Sequence, residues 1–348
     1  VFHTDAFLEG SVDNIAIHHL TIRTLSDTYL KTQGNIIGLP DENRMRFNLA
    51  LEKFYTTKKD LTLILPDTLM PDSMALPEWV NVSADYKGSI QKAQFKTLLT
   101  SDLGSLNLDG RMDLDSTSTT RGYNGKLIVS QFNVGKLLNQ PAMGHLTMNA
   151  AVDSEGLTKE EMNGTFQATI DSFQYNGYQY ENFRLRGKVV NNILNAWAGL
   201  EDKNLQFTLD GDVNFQEDVP RYKFTLDLKN ADFNALGLAI RPLRARGTLE
   251  VDMATADMRI LNGSLGIRKV AIFNGDALYA VDSLLFASID QEGGSQKQLD
   301  SDLIEGNFEG SINVFTLPAE VREYFNTYYS LHDSVEQSFE SPQHFIFR

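Results

Sequence analysis

Several groups of side chains have the types and spacing that chemistry uses. Asp113 and Asp115, and again Asp210 and Asp212, stand two apart, the spacing that places two carboxylates on one strand face for acid/base work or calcium binding. They fall on the wet parity of amphipathic strands, and a carboxylate pair becomes catalytic only when its surroundings separate the two pKa values. His18 and His19 are adjacent in an extended segment, so their side chains are expected on opposite faces, unable to share a metal. GYNGK at Gly122 lacks the spacing of a phosphate loop, and GSLG at Gly263 is not a nucleophile elbow. Arg241, Arg244 and Arg246 form the one basic cluster that an enzyme of acidic polysaccharide would need, and their spacing after Pro242 reads as a solvated rim. No catalytic residue and no metal ligand is assigned, no cofactor is expected, and the protein reads as a non-enzyme.

Composition narrows the classes further. The 348 residues are 42% hydrophobic and 22% charged, ample for an ordered chain. A net charge of −15 argues against a nucleic-acid partner, whose phosphates require Lys and Arg. There is no cysteine, so disulfides and thiolate metal sites are excluded. No uninterrupted apolar run approaches the ~20 residues that cross a bilayer as a helix. The chain begins at Val1 without methionine and stops at HFIFR in what reads as a new strand, so it is expected to be a piece of a longer protein, with any signal or anchor outside it.

The elements that must position any site are strands. From Leu205, LQFTLDGDVNF puts Leu205, Phe207, Leu209, Gly211, Val213 and Phe215 on one parity and Gln206, Thr208, Asp210, Asp212 and Asn214 on the other. Tyr222, Phe224, Leu226 and Leu228 repeat the pattern, as do Leu249, Val251 and Met253 after Gly247. Earlier, Ile15, Ile17 and His19 share a parity, and Met45, Phe47, Leu49 and Leu51 make another strand. TTKKDLTLILP then changes period. Leu61, Ile64 and Leu65 are spaced as on a helix, Thr57 with Asp60 resembles a capping box, and Pro66 stops it.

Beyond Trp79 the sequence repeats. LDGRMDL at Leu108 matches LDGDVNF at Leu209, Phe132-Asn133 matches Phe233-Asn234, and Pro141 matches Pro242, each at an offset of 101. Gly144 matches Gly247, Asn163-Gly164 matches Asn262-Gly263, and YNG at Tyr175 matches FNG at Phe273 at similar offsets. The spacing predicts a segment 1–66, a Pro-rich connection with strands over 67–107, repeat units over 108–208 and 209–307, and a further unit over 308–348 with a helix at about 318–333. Each unit is expected to carry a short helix capped by asparagine, VGKLL after Asn133 and ALGL after Asn234, and a hairpin at Asn176-Gly177 or Asn274-Gly275. The fold class is mostly β: an elongated, repetitive antiparallel sheet, with short helices between repeats.

QFNVGKLLNQPAMGHLTMNAAVDSEG from Gln131, DFNALGLAIRPLRARGTLEVDM from Asp232, the Pro-rich LPDTLMPDSMALPEWVNVSADYKGSI and FTLPAEVREYFNTYYSLHDS near the end resemble the TamB and AsmA-like family of envelope proteins. The resemblance covers most of Phe54 to His344. It implies a sheet curled into an apolar β-groove (a β-taco), a periplasmic location, an inner-membrane anchor outside this piece and an outer-membrane Omp85-type barrel as partner. It also implies lipid transfer between the two membranes and a part in outer-membrane protein assembly.

The functional expectation is a conduit whose apolar parity shields phospholipid or other acyl chains. The lining candidates are Leu146, Met148, Val152, Phe166, Ile170, Phe183 and Leu185; then Leu205, Phe207, Leu209, Val213, Phe215, Phe224, Leu226, Leu228, Leu249, Val251 and Met253; and finally Ile312 and Val314. A strand of nine residues spans ~30 Å, long enough to wrap acyl chains that need match only half of a ~30 Å hydrocarbon layer. The alternative is a structural or adhesive β-solenoid whose apolar face packs into a filled core and takes no lipid.

Overall fold

A computed structural model describes residues 2–65, 74–115, 117–118, 121–156, 158, 161–255, 262–291, 294–302, 305–309 and 346–347. The expected helix at about 318–333, Ile312 and Val314 lie outside them. The chain divides into two units, Val1–Asn192 with Leu200–Asp202, and Ile193–Gly199 with Lys203–Arg348. The cuts expected from the repeat, at 107/108 and 208/209, fall inside strands.

The first unit is an antiparallel meander. Its strands are β1 (His3–Ser11), β2 (Asn14–Thr24), β3 (Thr28–Ile37), β4 (Arg46–Thr57), β5 (Trp79–Gly88), β6 (Lys92–Ser101), β7 (Gly104–Asp113), β8 (Gly122–Asn133), β9 (Met143–Glu155), β10 (Asn163–Tyr175) and β11 (Tyr178–Val190). Each pairs with the next in sequence, and β1 pairs with β2 alone among the described strands, so the sheet is open there. β12 (Ile193–Glu201) is divided between the units.

The second unit continues the same plan through β13 (Leu205–Asn214), β14 (Arg221–Asp232), β15 (Leu243–Ala254), β16 (Gly263–Asn274), β17 (Ala277–Gln291), β18 (Gly294–Ser301) and β19 (Glu305–Glu309), with β20 (Ile346–Phe347) against β19.

Strict alternation does not survive along these strands, and the way it fails is regular. A bulge lies where two polar residues separate two apolar ones: Ile17-His18-His19-Leu20, Leu51-Glu52-Lys53-Phe54, Val129-Ser130-Gln131-Phe132, Ile170-Asp171-Ser172-Phe173, Leu228-Lys229-Asn230-Ala231 and Ile267-Arg268-Lys269-Val270. A single inserted residue resets the parity, so the apolar side chains after it rejoin the face they left. Gln131 and Lys269 adopt positive φ to do so. The first of these bulges overturns two expectations. Leu20, not His19, continues the apolar parity of Ile17, and both histidines share the polar face, where His18 meets Glu9 at 3.0 Å and His19 meets Asp5 at 3.4 Å around Phe7.

Two short helices interrupt the strands. α1 (Lys58–Ile64) follows β4 as its period predicts, but Thr57 makes no side-chain cap. Asp60 does different work. It is fully buried and accepts from the Asp27 and Ser26 main-chain N–H groups and the Thr28 hydroxyl, binding the β2–β3 turn to the helix. The Asp27 N–H, aided by the Thr28 hydroxyl and the Ser26 N–H, holds the Asp60 carboxyl below the usual aspartate range against the opposing effect of burial.

α2 (Val134–Leu137) is capped as expected, with Asn133 Oδ1 accepting from Lys136 N at 2.8 Å. The second copy departs from this pattern. Residues 233–238 form turns rather than a helix. Asp232 Oδ1 accepts from Ala235 N, while Asn234 donates to the Ala239 and Ile240 carbonyls. The hairpins differ as well. Asn176 and Gly177 form the first two-residue turn, both at positive φ, whereas the second turn is Gly275-Asp276 and Asn274 closes the β16 ladder.

One periodic device is invisible in the alternation. Asp102, Asp202 and Asp302, each 100 residues from the next, sit just past the ends of β6, β12 and β18. Each accepts a main-chain N–H from a strand or turn some twenty residues earlier: Glu78 N to Asp102, Glu181 N to Asp202, and Asp282 N and Ser283 N to Asp302. The Ser283 N–H and hydroxyl hold the Asp302 carboxyl low as well.

Both lowered carboxyls stabilise the fold fully above the ordinary aspartate pKa, and that contribution is lost as pH falls through their depressed folded values. Thermal melts of wild type and Asp60→Asn should therefore differ near neutrality and converge in acid; a gap that persists below the aspartate range would contradict the latch.

Candidate functional site: the apolar sheet face

Cross-strand register turns the parities into continuous rows. One row of the first unit reads Ile22, Leu30, Phe54, Val82, Leu99, Leu106, Val129, Met148, Ile170 and Phe183, apolar on every strand from β2 to β11. The next reads Leu20, Thr32, Leu51, Ala84, Thr97, Leu108, Leu127, Ala150, Ala168 and Leu185. A third alternates bulk with gaps: Ile17, Gly34, Leu49, Tyr86, Phe95, Gly110, Gly125, Val152, Phe166 and Gly187. The residues between these rows along each strand belong to the opposite face.

In the second unit, Gly211, Phe224, Val251, Leu265, Phe286 and Leu299 form one row, with Leu209, Leu226, Leu249, Ile267 and Leu284 beside it. Val213 and Met253 flank Tyr222, Phe207 faces Leu228, and Leu205 faces Ala231. Leu146 faces both Phe132 and Phe173 in the first unit. The register thus gathers the described lining candidates on one face within their own unit, except Phe215, which lies just past β13.

Glycine shapes this face. A Cβ at Gly110 would stand 2.8 Å from Phe95 Cζ, and one at Gly211 would stand 2.5 Å from Phe224 Cβ. The Phe95 ring is therefore accommodated over Gly110, and the β14 backbone at Lys223 and Phe224 comes close to Gly211, only because neither glycine has a side chain. In the first unit an open depression of about 850 Å³ is lined mainly by residues of the opposite, polar parity, among them Gln33, Asn48, Asp85, Lys87, Lys96, Asp109 and Arg111. Ile17, Gly34, Leu49, Tyr86, Phe95 and Gly110 of the third row lie between them, so it is not a hollow of the apolar face.

Burial distinguishes this face from a protein core. Phe166, Ile170, Phe183 and Leu185 alternate as half-buried residues with exposed ones, and Phe207, Leu209, Phe224, Leu226 and Leu249 are likewise half-buried; Val152 is exposed. Two small clusters are better packed, one of Leu103, Val129 and Phe132 and the other of Val251, Met253 and Phe286. Their packing partners come from the same strands, from neighbouring strands and, in the first cluster, from α2.

The other chemical candidates resolve into structural roles. Asp113 pairs with Lys92 at 2.8 Å and accepts from the Ser118 hydroxyl, and the Lys92 ammonium holds its carboxyl low; Asp115 is held low by the Thr117 N–H and hydroxyl. Two carboxyls shifted in the same direction do not divide into an acid and a base. Gly122 and Gly263 open β8 and β16, where a Cβ would lie about 2 Å from the Ser154 and Asp252 carbonyls, so each serves close strand approach. Among the described residues, no group of three or more His, Asp or Glu side chains is placed to hold a metal. No described helix is long and apolar enough to cross a membrane.

Sequence reading missed Asp60 and the Asp102, Asp202 and Asp302 series as anchoring residues. The signal was available in SDLG at Ser101 and SDLI at Ser301, separated by two periods. No family model, curated protein or solved structure matches the chain.

Two substitutions measure how much of the apolar parity is packed. Phe132→Ala should cost about 3–5 kcal/mol in denaturant melts, because the side chain is buried among Leu103, Val129 and Leu146. Ile128→Ala, exposed on the opposite parity, should change stability by no more than about 0.5 kcal/mol.

Proposed function

We propose that this protein is a non-enzymatic lipid conduit in which the apolar face shields acyl chains during transfer between membranes. The observation that carries the reading is the set of apolar rows crossing consecutive strands of each unit, most of whose side chains, outside the two packed clusters around Val129 and Val251, remain half-buried rather than sealed. Hydrocarbon in water costs about 0.8 kcal/mol per methylene, so ten exposed methylenes cost about 8 kcal/mol. A continuous apolar track lowers that cost at each step of movement, because the neighbouring row offers the same surface.

In this reading the sheet of each unit curls into a groove, a β-taco, and the α2 helix and its turn-like counterpart mark successive repeats. The resemblance of the Gln131 and Asp232 segments to TamB and AsmA-like proteins supports a periplasmic setting, an inner-membrane anchor outside this piece, an Omp85-type barrel as partner and a link to outer-membrane protein assembly. A filled structural or adhesive solenoid is the alternative. It requires the apolar rows to be buried throughout, and the half-buried state of Phe207, Leu209, Phe224 and Leu226 favours the open form.

Native mass spectrometry of the purified protein, with photo-crosslinkers at Phe207 and Phe224, should recover bound phospholipid and lipid adducts; their absence would count against the conduit. In a vesicle-to-vesicle transfer assay, Leu226→Arg should abolish transfer, whereas Asp227→Arg, on the opposite parity, should retain it. Equal effects would remove the face from the mechanism.

A further inference from the structure

The turn after β14 exposes what its counterpart after β8 does not. In the first unit Val134 and Leu137 of α2 pack against the Leu103, Val129 and Phe132 cluster. At the offset of 101, Leu137 corresponds to Leu238, Asn139 to Ile240 and Gln140 to Arg241. Leu236 is buried and anchors the turn in the second unit, yet Leu238 is 55% exposed and Ile240 100% exposed. An apolar and a cationic residue have taken the places of two polar ones, and the new apolar side chain has no cover.

This tip has a defined conformation. The Leu238 and Ala239 N–H groups donate to the Phe233 carbonyl at 2.8 and 3.0 Å, and Asn234 donates to the Ala239 and Ile240 carbonyls. The Gly275 N–H donates to the Pro242 carbonyl, which ties the tip to the β16–β17 hairpin end, where Leu278 is 57% and Tyr279 59% exposed. Arg241 and Arg244 are exposed at its base. Asp232 lies 3.9 Å from Arg244, and Asp276 is the acidic residue of the adjoining hairpin turn. On a chain of net charge −15, an ordered apolar tip with two exposed arginines at its base offers an anionic surface local attraction.

We propose that the 236–242 turn, with the adjoining hairpin end, is a membrane-surface contact that inserts Leu238 and Ile240 into the headgroup–acyl boundary of a bilayer carrying anionic lipid. Apolar side chains supply the insertion, and the arginines supply the preference for negative headgroups. The site is separate from the apolar rows and does not depend on their carrying lipid.

Co-sedimentation of the whole chain with vesicles tests it. Binding to phosphatidylcholine–phosphatidylglycerol vesicles should exceed binding to phosphatidylcholine alone by about tenfold or more, and should weaken as salt rises. The double variant Leu238→Glu, Ile240→Glu should lose most of the binding while its thermal melt is unchanged. Arg241→Glu with Arg244→Glu should abolish the preference for the anionic vesicles.

Leu226→Arg, which disables the proposed lipid track, should still sediment with vesicles. Equal binding to both vesicle types, or an unchanged double tip variant, would overturn the proposal. So would loss of sedimentation in Leu226→Arg alone. A tip variant that loses self-association in sedimentation velocity while keeping vesicle binding would assign the tip to a second copy of the chain instead.

Discussion

Everything in these sheets depends on keeping one side of the backbone apolar while strand after strand is added. A strand's side chains alternate, so a slip of one residue turns its whole apolar set toward water. In the first unit, ten consecutive strands contribute to the rows through Ile22 and Leu20 without such an error. The bulges at His18–His19, Glu52–Lys53, Ser130–Gln131 and Asp171 are therefore part of the phasing. Each admits a polar pair, twists the strand locally and returns the next apolar side chain to its row.

The same constraint explains how polar groups are used. A carboxylate at a strand end that collects main-chain N–H groups fixes where a turn sits, and the turn fixes the register of the strands it joins. Asp60 does this between α1 and the β2–β3 turn, with Thr28 and Thr56 completing a buried set of hydroxyls. Asp202 receives the Tyr178 hydroxyl and the Glu181 N–H at the start of β11. Charge here is spent on alignment, in keeping with Asp113 and Asp115, whose surroundings lower both carboxyls together.

Much of the second unit was legible directly. Leu205 to Val213, Tyr222 to Leu228 and Leu249 to Met253 alternate without interruption, so their parity alone placed them on a common face. The spacing of TTKKDLTLILP announced α1, and Asn133 capped α2 as its type predicts. Where the reading failed, a local rule was outvoted by tertiary contacts. His19 looked like the next inward residue because a bulge leaves no single residue type as its mark; only the three-residue step from Ile17 to Leu20 reveals it. Asp60 looked like a capping residue because the residues it serves, Ser26 to Thr28, lie more than thirty positions away. The ALGL segment looked helical by analogy with VGKLL, yet Gly237 at positive φ and a cap moved to Asp232 left a run of turns.

The aspartates at 102, 202 and 302 carry a corollary for how such a chain can change length. The interval between them spans six strands, an even number, so removing or adding one whole interval restores both the up-and-down alternation and the turn that the aspartate fastens. Removing an odd number of strands would leave one running against its neighbour's hydrogen bonds, and removing two or four would keep the alternation but lose the spacing of the turn that the aspartate fastens. Growth and shrinkage by complete modules is thereby the path of least disruption, and proteins of this design should differ in size by multiples of about a hundred residues.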